Sequence, residues 1–355
     1  MRLLHVVGTR PNLVKMAPVI AAVRERFPDW PSTVVHTGQH YDREMSQVFL
    51  EELGIGEPDH ALGVGSGTHA EQTARVIERL EPILVDERPD MVVVPGDVNS
   101  TLAGALVAAK LAIPVAHVES GLRSFDRSMP EELNRVVVDH LGELLFLHCE
   151  DAIENLRREG IDDARMKFVG NTMIDTLVAL EERFRAREAA ARFGVEPGSF
   201  LLVTLHRPAL VDGPLLGEAM EALASVAAEM PVVFPAHPRT LKMLGGGRPE
   251  GVRLLDPVGY LDFLSLEADA AAVLTDSGGI QEETTYLGVP CYTLRDNTER
   301  PITISSGTNT LLGLDPKRIA EIPALVASRT PDRPQPPPKW DGKAAGRIAD
   351  VLADW

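Results

Sequence analysis

Three acidic residues stand where the chain leaves short apolar runs. Asp97 lies in Gly96-Asp97-Val98-Asn99-Ser100, Glu119 in His117-Val118-Glu119-Ser120-Gly121-Leu122-Arg123, and Glu131 in Pro130-Glu131-Glu132. Removing a carbon-bound proton needs a base, and expelling a leaving group calls for an acid on another side. Carboxylates in a dry cleft are tuned to both roles by burial and mutual repulsion. The plainer reading is that Asp97 caps the following helix and that Glu131 and Glu132 are solvated; for Glu132 the plainer reading is preferred. Arg10, in the turn Gly8-Thr9-Arg10-Pro11, and Lys15 one turn further on are cations suited to a phosphate or a carboxylate. Their plainer reading is a surface pair on the first helix.

The segment Thr275-Asp276-Ser277-Gly278-Gly279-Ile280 is the sharpest local signal. Ser277-Gly278-Gly279 turns the chain out of a strand and opens a helix at Ile280. A helix N-terminus offers free N–H groups and partial positive charge, and glycines let a phosphate approach the backbone. Glu283 is placed in the first turn, where it would accept hydrogen bonds from ribose hydroxyls. Equally, Asp276 or Ser277 simply caps a helix whose glutamates favour its dipole. On this segment alone both readings stay open. Further polar residues end other runs of the second half: His206-Arg207, His237-Pro238-Arg239 and Arg295-Asp296.

Other chemistries lack their patterns. No G-x-G-x-x-G follows the first run, no Gly-Lys-Ser/Thr follows Gly245-Gly246-Gly247, and no G-x-S-x-G elbow exists. The ten histidines form no H-E-x-x-H or comparable ligand spacing, so no metal is expected. His5, His60, His140 and His148 read as structural or exposed.

The elements that must hold these groups are short runs alternating with amphipathic stretches. The first series is Leu3–Val7, Thr33–His36, Met91–Val94, Val115–Val118 and Leu144–His148. The second is Leu201–Leu205, Val232–Phe234, Val252–Leu255, Ala272–Leu274 and Cys291–Leu294. Continuous apolar runs separated by helices, such as Thr68–Asp86 and Thr101–Leu111, predict buried parallel strands in βα units. Two series predict an α/β protein of two doubly wound, Rossmann-like domains. Polar residues at so many strand ends point to a cleft between them. The predicted domains are 1–170 and 171–339, with 340–355 a closing helix packed back on the first. A helix is expected over Thr176–Phe193, and the proline-rich Thr330–Pro338 is expected to be irregular.

Composition agrees with the 355 residues forming two folded domains: 44% are hydrophobic, 25% charged and 5% aromatic. The net charge of −17 disfavours a nucleic-acid partner, which relies on clustered positive charge. Two cysteines in apolar runs, Cys149 and Cys291, suit a reducing cytoplasm. The N-terminal run reads as a strand and a glycine turn, too short for a signal peptide, and no apolar stretch of roughly 18 residues occurs. No membrane partner is expected.

As an ordered set, GTRPNLVKMAP (8–18), TGQH (37–40), GDVNSTLA (96–103), HVESGLRSFDRSMPEELNR (117–135), GNTMID (170–175), TLHRP (204–208), TDSGGIQEE (275–283), RDNTERP (295–301) and WDGKAAGRI (340–348) resemble the non-hydrolysing UDP-N-acetylglucosamine 2-epimerases over nearly the whole chain. The resemblance implies a glycosyltransferase-B-like fold, a homodimer, and interconversion of UDP-GlcNAc and UDP-ManNAc by loss and re-addition of UDP through 2-acetamidoglucal, without a nicotinamide or other cofactor. It carries over Asp97, Glu119 and Glu131 as catalytic carboxylates and His206 as the histidine near the leaving diphosphate. Arg10, Lys15 and His237 carry over as substrate-binding residues, Ser277, Gly278 and Gly279 as the diphosphate turn, and Glu283 as the ribose glutamate.

Gln39, Arg207 and His237 also match the position where some bacterial relatives bind a second, activating UDP-GlcNAc. Two departures fall there. Tyr41-Asp42-Arg43-Glu44 follows Gln39-His40, where those relatives place another glutamine, and Pro208-Ala209-Leu210 replaces a Glu-Asn pair after His206-Arg207. The alternatives are a glycosyltransferase of the same fold using a UDP-sugar, a hydrolysing 2-epimerase that releases ManNAc and UDP, and a nucleotide-sugar sensor. The first does not account for three carboxylates and Arg10 in the first half; Glu119 within HVESGLR favours the non-hydrolysing type over the second.

Overall fold

The computed structural model describes residues 1–38, 49–245, 247, 249–329 and 335–355. Gln39, the run Tyr41–Glu44, Gly246 and the first part of the proline-rich segment lie outside the described residues. The chain divides into two compact units, Met1–Val178 with Pro338–Trp355, and Ala179–Pro337.

In the first unit the described strands form a parallel sheet in the order β3-β2-β1-β4-β5-β6-β7. They are β1 (Leu3–Val7), β2 (Ser32–His36), β3 (His60–Ala61), β4 (Met91–Pro95), β5 (Val115–Val118), β6 (Leu144–Leu147) and β7 (Met166–Phe168). Every residue of β1, β4, β5 and β6 is buried, because helices cover both faces; this is why the runs are continuous rather than alternating. The helix His69–Glu87 shows how the cover is fixed. Thr68 and Glu71 make a reciprocal capping box at its start, Val76, Leu80 and Leu84 face inward, and Arg88 ends it in a left-handed conformation.

The C-terminal segment completes this unit. Helix Ala344–Asp354 packs on helix Arg10–Arg26, with Arg26 paired to Asp350. The Asp175 carboxylate accepts from the backbone N–H groups of Ala344 and Ala345 at 3.1 and 2.6 Å. The Trp340 indole is buried and donates to the His148 carbonyl at 2.9 Å. Gly170 (φ +99°) passes so close to the Lys339 carbonyl that a Cβ would lie 2.1 Å from it, so only glycine fits.

The second unit repeats the plan. Its described sheet is parallel, ordered β10-β9-β8-β11-β12-β13, from β8 (Leu201–Thr204), β9 (Val232–Pro235), β10 (Val252–Leu255), β11 (Ala272–Thr275), β12 (Cys291–Thr293) and β13 (Asn309–Leu311). Leu201, Val203, Phe234 and Leu274 pack with Leu216, Leu223 and Val226 of helix Leu215–Ala227 on one face. Leu202, Val233 and Val273 pack with Leu266 on the other. In each sheet the strand order reverses at one point, between β1 and β4 and between β8 and β11, which is where doubly wound sheets open for ligands.

The expected helix Thr176–Phe193 is instead three pieces, Thr172–Ala179, Glu181–Arg185 and Ala189–Arg192. Tertiary contacts override its helical composition. The chain breaks so that Phe184 and Ala189 both bury, while Arg187 and Arg192 reach Asp262 and the Ala189 N–H donates to Ser265. The short strands β3, β7 and β13 go beyond the sequence reading. None exceeds three residues, too few to show a hydrophobic pattern.

Candidate active site

In the first unit Arg10 opens a helix directly after β1, with Thr9 at the N-cap and Pro11 in the first turn. Its guanidinium is 5.9 Å from the Phe49 ring centroid. Lys15, on the same helix, is buried and pairs with Glu119. Asp97 and Glu119 leave adjacent strands side by side: the Gly96 N–H donates to the Val118 carbonyl at 2.9 Å, and each acid is the next residue along. Gly96 (φ +65°) lies where a Cβ would be 3.1 Å from Lys15 Nζ. Glu119 itself has φ +69°, a strained conformation for a residue with a Cβ and one that clusters at functional sites.

Asp97 does not cap the following helix, whose N-cap is Val98. Its carboxylate instead receives Arg135 Nη2 at 2.5 Å, and its carbonyl accepts from Asn134 at 2.8 Å. Arg135 was not singled out by sequence reasoning, although it ends the quoted HVESGLRSFDRSMPEELNR run. Glu132, expected to be solvated, is 3% exposed. It accepts from Ser124 N–H (2.9 Å), Ser124 Oγ (3.0 Å) and Phe125 N–H (3.0 Å), and pairs with Arg135 at 2.9 Å. The helix Pro130–Leu141 turns Glu132 inward to hold the loop before it, and its neighbour Glu131 stays half-exposed.

The remaining histidine readings divide cleanly. His5 is fully buried on β1, and burial, aided by the charge of Arg24, pushes its imidazole down to about 3. His60 pairs with Glu87, and His148 stacks near Trp340. Among the described residues no cluster of three or more His, Cys, Asp or Glu is arranged to hold a metal ion.

In the second unit His206 follows β8, His237 follows β9 and Asp276 follows β11. Asp276 is buried and turns back rather than capping. Its Oδ2 accepts from the N–H groups of His206 (2.8 Å) and Arg207 (2.7 Å), and its Oδ1 lies 3.0 Å from His206 Nδ1. Burial alone would raise this carboxyl; the hydrogen bonds and charge of His206 hold it below its ordinary range. His206 itself remains exposed. His237 is an N-cap whose Nδ1 accepts from the Arg239 N–H at 3.2 Å, leaving Nε2 to carry the ring proton.

The helix Gly278–Leu287 begins two residues earlier than expected, with Ser277 at its N-cap and no side-chain cap bond. Its first amides are therefore available at a positive helix end. Arg300 lies against that end. A Cβ on Gly278 would be 2.5 Å from its Nη1, so glycine is what lets the guanidinium approach. Arg300 pairs with Glu282 (3.1 Å) and Glu299 (3.2 Å), and Glu299 also meets Arg295 (2.8 Å) and Arg207 (3.7 Å). Three arginines and two carboxylates thus meet beside the helix start.

Glu283 consequently sits in the second turn rather than the first, buried, with the Tyr260 hydroxyl donating to it at 2.7 Å. Burial pushes its carboxyl up to about 7, against the pull of the Tyr260 hydrogen bond and with help from the charge of Glu282.

A family model described as UDP-N-acetylglucosamine 2-epimerase matches residues 23–353. A UDP-N-acetylglucosamine 2-epimerase of Methanocaldococcus jannaschii is 42% identical over 99% of both chains. The UDP-2,3-diacetamido-2,3-dideoxy-D-glucuronate 2-epimerase of Pseudomonas aeruginosa is 40% identical, again over 99% of each. The solved M. jannaschii enzyme in complex with UDP-GlcNAc and UDP superposes with TM-score 0.89 at 40% identity, covering 100% of both chains. A calicheamicin glycosyltransferase, 15% identical over 99% of this chain and 97% of its own, shares the fold with TM-score 0.57. A match along almost the entire length, with relatives this similar, establishes that the chain belongs to the UDP-N-acetylglucosamine 2-epimerase family.

Proposed function

We propose that the protein is a non-hydrolysing UDP-GlcNAc 2-epimerase. The observation that carries this is the side-by-side exit of Asp97 and Glu119 from β4 and β5, locked by the Gly96–Val118 hydrogen bond and each paired with a cation. Acid–base chemistry at one carbon needs such neighbouring carboxylates held in fixed positions. Asp97, Glu119 and Glu131 are the catalytic carboxylates. One takes the C2 proton; the C2–H electron pair forms the C1=C2 bond of 2-acetamidoglucal, and the C1–O bond breaks with its electrons leaving on UDP. Re-addition of UDP at C1 with protonation of the opposite C2 face completes the inversion. No cofactor enters the balance.

In the second unit, Ser277, Gly278 and Gly279 receive the diphosphate at the helix start, joined by Arg300, and Glu283 accepts from the ribose hydroxyls. His206, tethered by Asp276, supports the departing diphosphate. Arg10, Lys15 and His237 are further substrate contacts. An anion at a helix N-terminus with arginines close by is favourable in this arrangement.

A second sugar is favoured by one observation, the 40% identity to the 2,3-diacetamido-glucuronate epimerase. Incubation with UDP-GlcNAc in D₂O, followed by NMR, separates the readings. The expected result is deuterium at C2 with UDP-ManNAc formed. Release of free ManNAc would mark a hydrolysing enzyme. Exchange seen only with the diacetamido-uronate sugar would move the substrate assignment, and an absence of exchange with both sugars would defeat the epimerase reading.

We further infer a cytoplasmic homodimer. Both cysteines are free and buried, and no helix among the described residues is long and apolar enough to cross a membrane. Leu133 and Val137, one turn apart on helix Pro130–Leu141, are each 42% exposed, an apolar pair suited to a second copy. Light scattering on Leu133→Glu/Val137→Glu is expected to give a monomer; an unchanged dimer mass would exclude this face.

A further inference from the structure

Beneath the strand ends of the first unit lies a buried polar cluster that the proposed chemistry does not use. His117, on β5, is fully buried. Its Nδ1 is 2.7 Å from Asp139 Oδ1 and its Nε2 is 2.7 Å from the Gly96 carbonyl oxygen. A carbonyl only accepts, so Nε2 donates to Gly96, while Nδ1 faces the Asp139 carboxylate. Asp139 Oδ2 accepts in turn from the Gly121 N–H at 3.1 Å and meets Arg123 Nη1 at 2.7 Å. Arg123 is itself held by both oxygens of Glu159, at 2.7 and 2.6 Å. Burial alone would raise the Asp139 carboxyl; His117 and Arg123 keep it below its ordinary range.

The anchor points are informative. Gly96 directly precedes Asp97. His117 and Gly121 flank Glu119 at two residues on either side, and Glu119 is the residue held at φ +69°. A strained conformation of this kind persists only where its surroundings over-determine it. Both bonds of His117 and the Asp139–Gly121 bond are buried, where an unmade hydrogen bond is costly and a satisfied network is rigid.

We propose that His117 and Asp139 are a positioning pair for the reaction, clamping the backbone of Asp97 through Gly96 and that of Glu119 from both sides so that the two carboxylates meet the sugar in fixed register. This rests on the catalytic reading of Asp97 and Glu119. Neither His117 nor Asp139 touches substrate in it; they act through their neighbours.

A double-mutant cycle tests the pair, with C2 deuterium exchange of UDP-GlcNAc in D₂O as the readout and UDP affinity as the control. His117→Gln is expected to slow exchange at least ~10-fold while UDP affinity, whose proposed diphosphate-turn and ribose contacts lie in the second unit, changes less than ~2-fold. In an Asp97→Asn background the same substitution is expected to cost less than ~3-fold further, because residues that act as a unit are strongly non-additive. Losses that multiply would overturn the positioning role and leave the catalytic reading standing. An Asp97→Asn variant exchanging at the wild-type rate would remove both. Should His117→Gln fail to fold, Asp139→Asn is put through the same cycle and is expected to give the same pattern; losses that multiply with Asp97→Asn overturn the clamp.

Discussion

Lys15 and Glu119 meet as an ion pair whose side chains are each only 6% exposed. One comes from the first helix and the other from the end of β5, so the contact ties two elements across the point where the strand order reverses. A buried pair of this kind is costly to break from one side, because the surviving charge stays buried and loses its opposite charge. Lys15→Met is therefore expected to destabilise the first unit by about 3–5 kcal/mol, read by urea unfolding. Lys15→Met combined with Glu119→Gln removes both charges and should recover at least half of that loss. A single variant as stable as wild type would show that the pair contributes nothing to the fold.

Glu283 predicts a pH dependence with a definite sign. Burial raises its carboxyl from the ordinary 4.5 to about 7, so the folded protein holds a proton that the unfolded chain has released. Stability from this group is full below about 4.5 and falls as pH rises through about 7. Glu283→Gln should flatten that part of the unfolding profile. Ribose hydroxyls donate to the ionised form, so the affinity difference between UDP and its 2′,3′-dideoxy analogue should grow over the same interval. Tyr260→Phe removes the hydroxyl that lowers the carboxyl, and should move the rise to higher pH. Calorimetric titrations of both ligands at several pH values check this; a difference independent of pH would dissociate Glu283 from the ribose.

Much of this was legible in the sequence because buried parallel strands announce themselves. Met91–Val94 and Leu201–Val203 have no polar interruption, and the residues after them had to lie at the ligand-facing ends. What was not legible follows from contacts distant in sequence. Glu131 and Glu132 are neighbours with the same side chain, and only the rotation of helix Pro130–Leu141 against the Ser124–Phe125 backbone buries one and leaves the other half-exposed. Arg135 reaches Asp97 across 38 residues, and Asp276 reaches the His206 amide across 70, separations at which no local pattern signals a partner. The run Thr176–Phe193 misled for the converse reason. Its composition favours a helix, but Ser265 and Asp262 draw the chain into three pieces.

The tether between Asp276 and His206 should be measurable in turnover. Oδ2 fixes the backbone of His206 and Arg207, and Oδ1 stands 3.0 Å from the ring. Oδ1 has no other hydrogen-bond partner among the described residues, so it favours a proton on Nδ1 and leaves Nε2 to meet the ligand. Asp276→Asn places an amide there and unsettles that preference. A loss of ~10–10²-fold in kcat is expected, within the range of positioned proton-transfer groups. The loss should be no larger when His206 is already Asn. Unchanged turnover in Asp276→Asn would detach the tether from the chemistry.

Regulation by a second UDP-sugar is a further expectation on which the sequence bears. A second UDP-sugar beside the active centre needs several polar anchors, because an unpaired buried diphosphate is costly. One of the matching anchors, Arg207, already faces Glu299 at 3.7 Å, and Pro208 opens a short helix, Pro208–Val211, in which no charged residue follows it. In sequence, the segment after Gln39 adds Asp42 and Glu44, whose charge opposes an anionic activator, with Arg43 as a partial offset. The enzyme is therefore expected to turn over pure UDP-ManNAc from the first seconds without added UDP-GlcNAc. Progress curves should be linear at the start and unchanged by trace UDP-GlcNAc. A lag that trace UDP-GlcNAc abolishes would show that Gln39, Arg207 and His237 suffice for a working activator site.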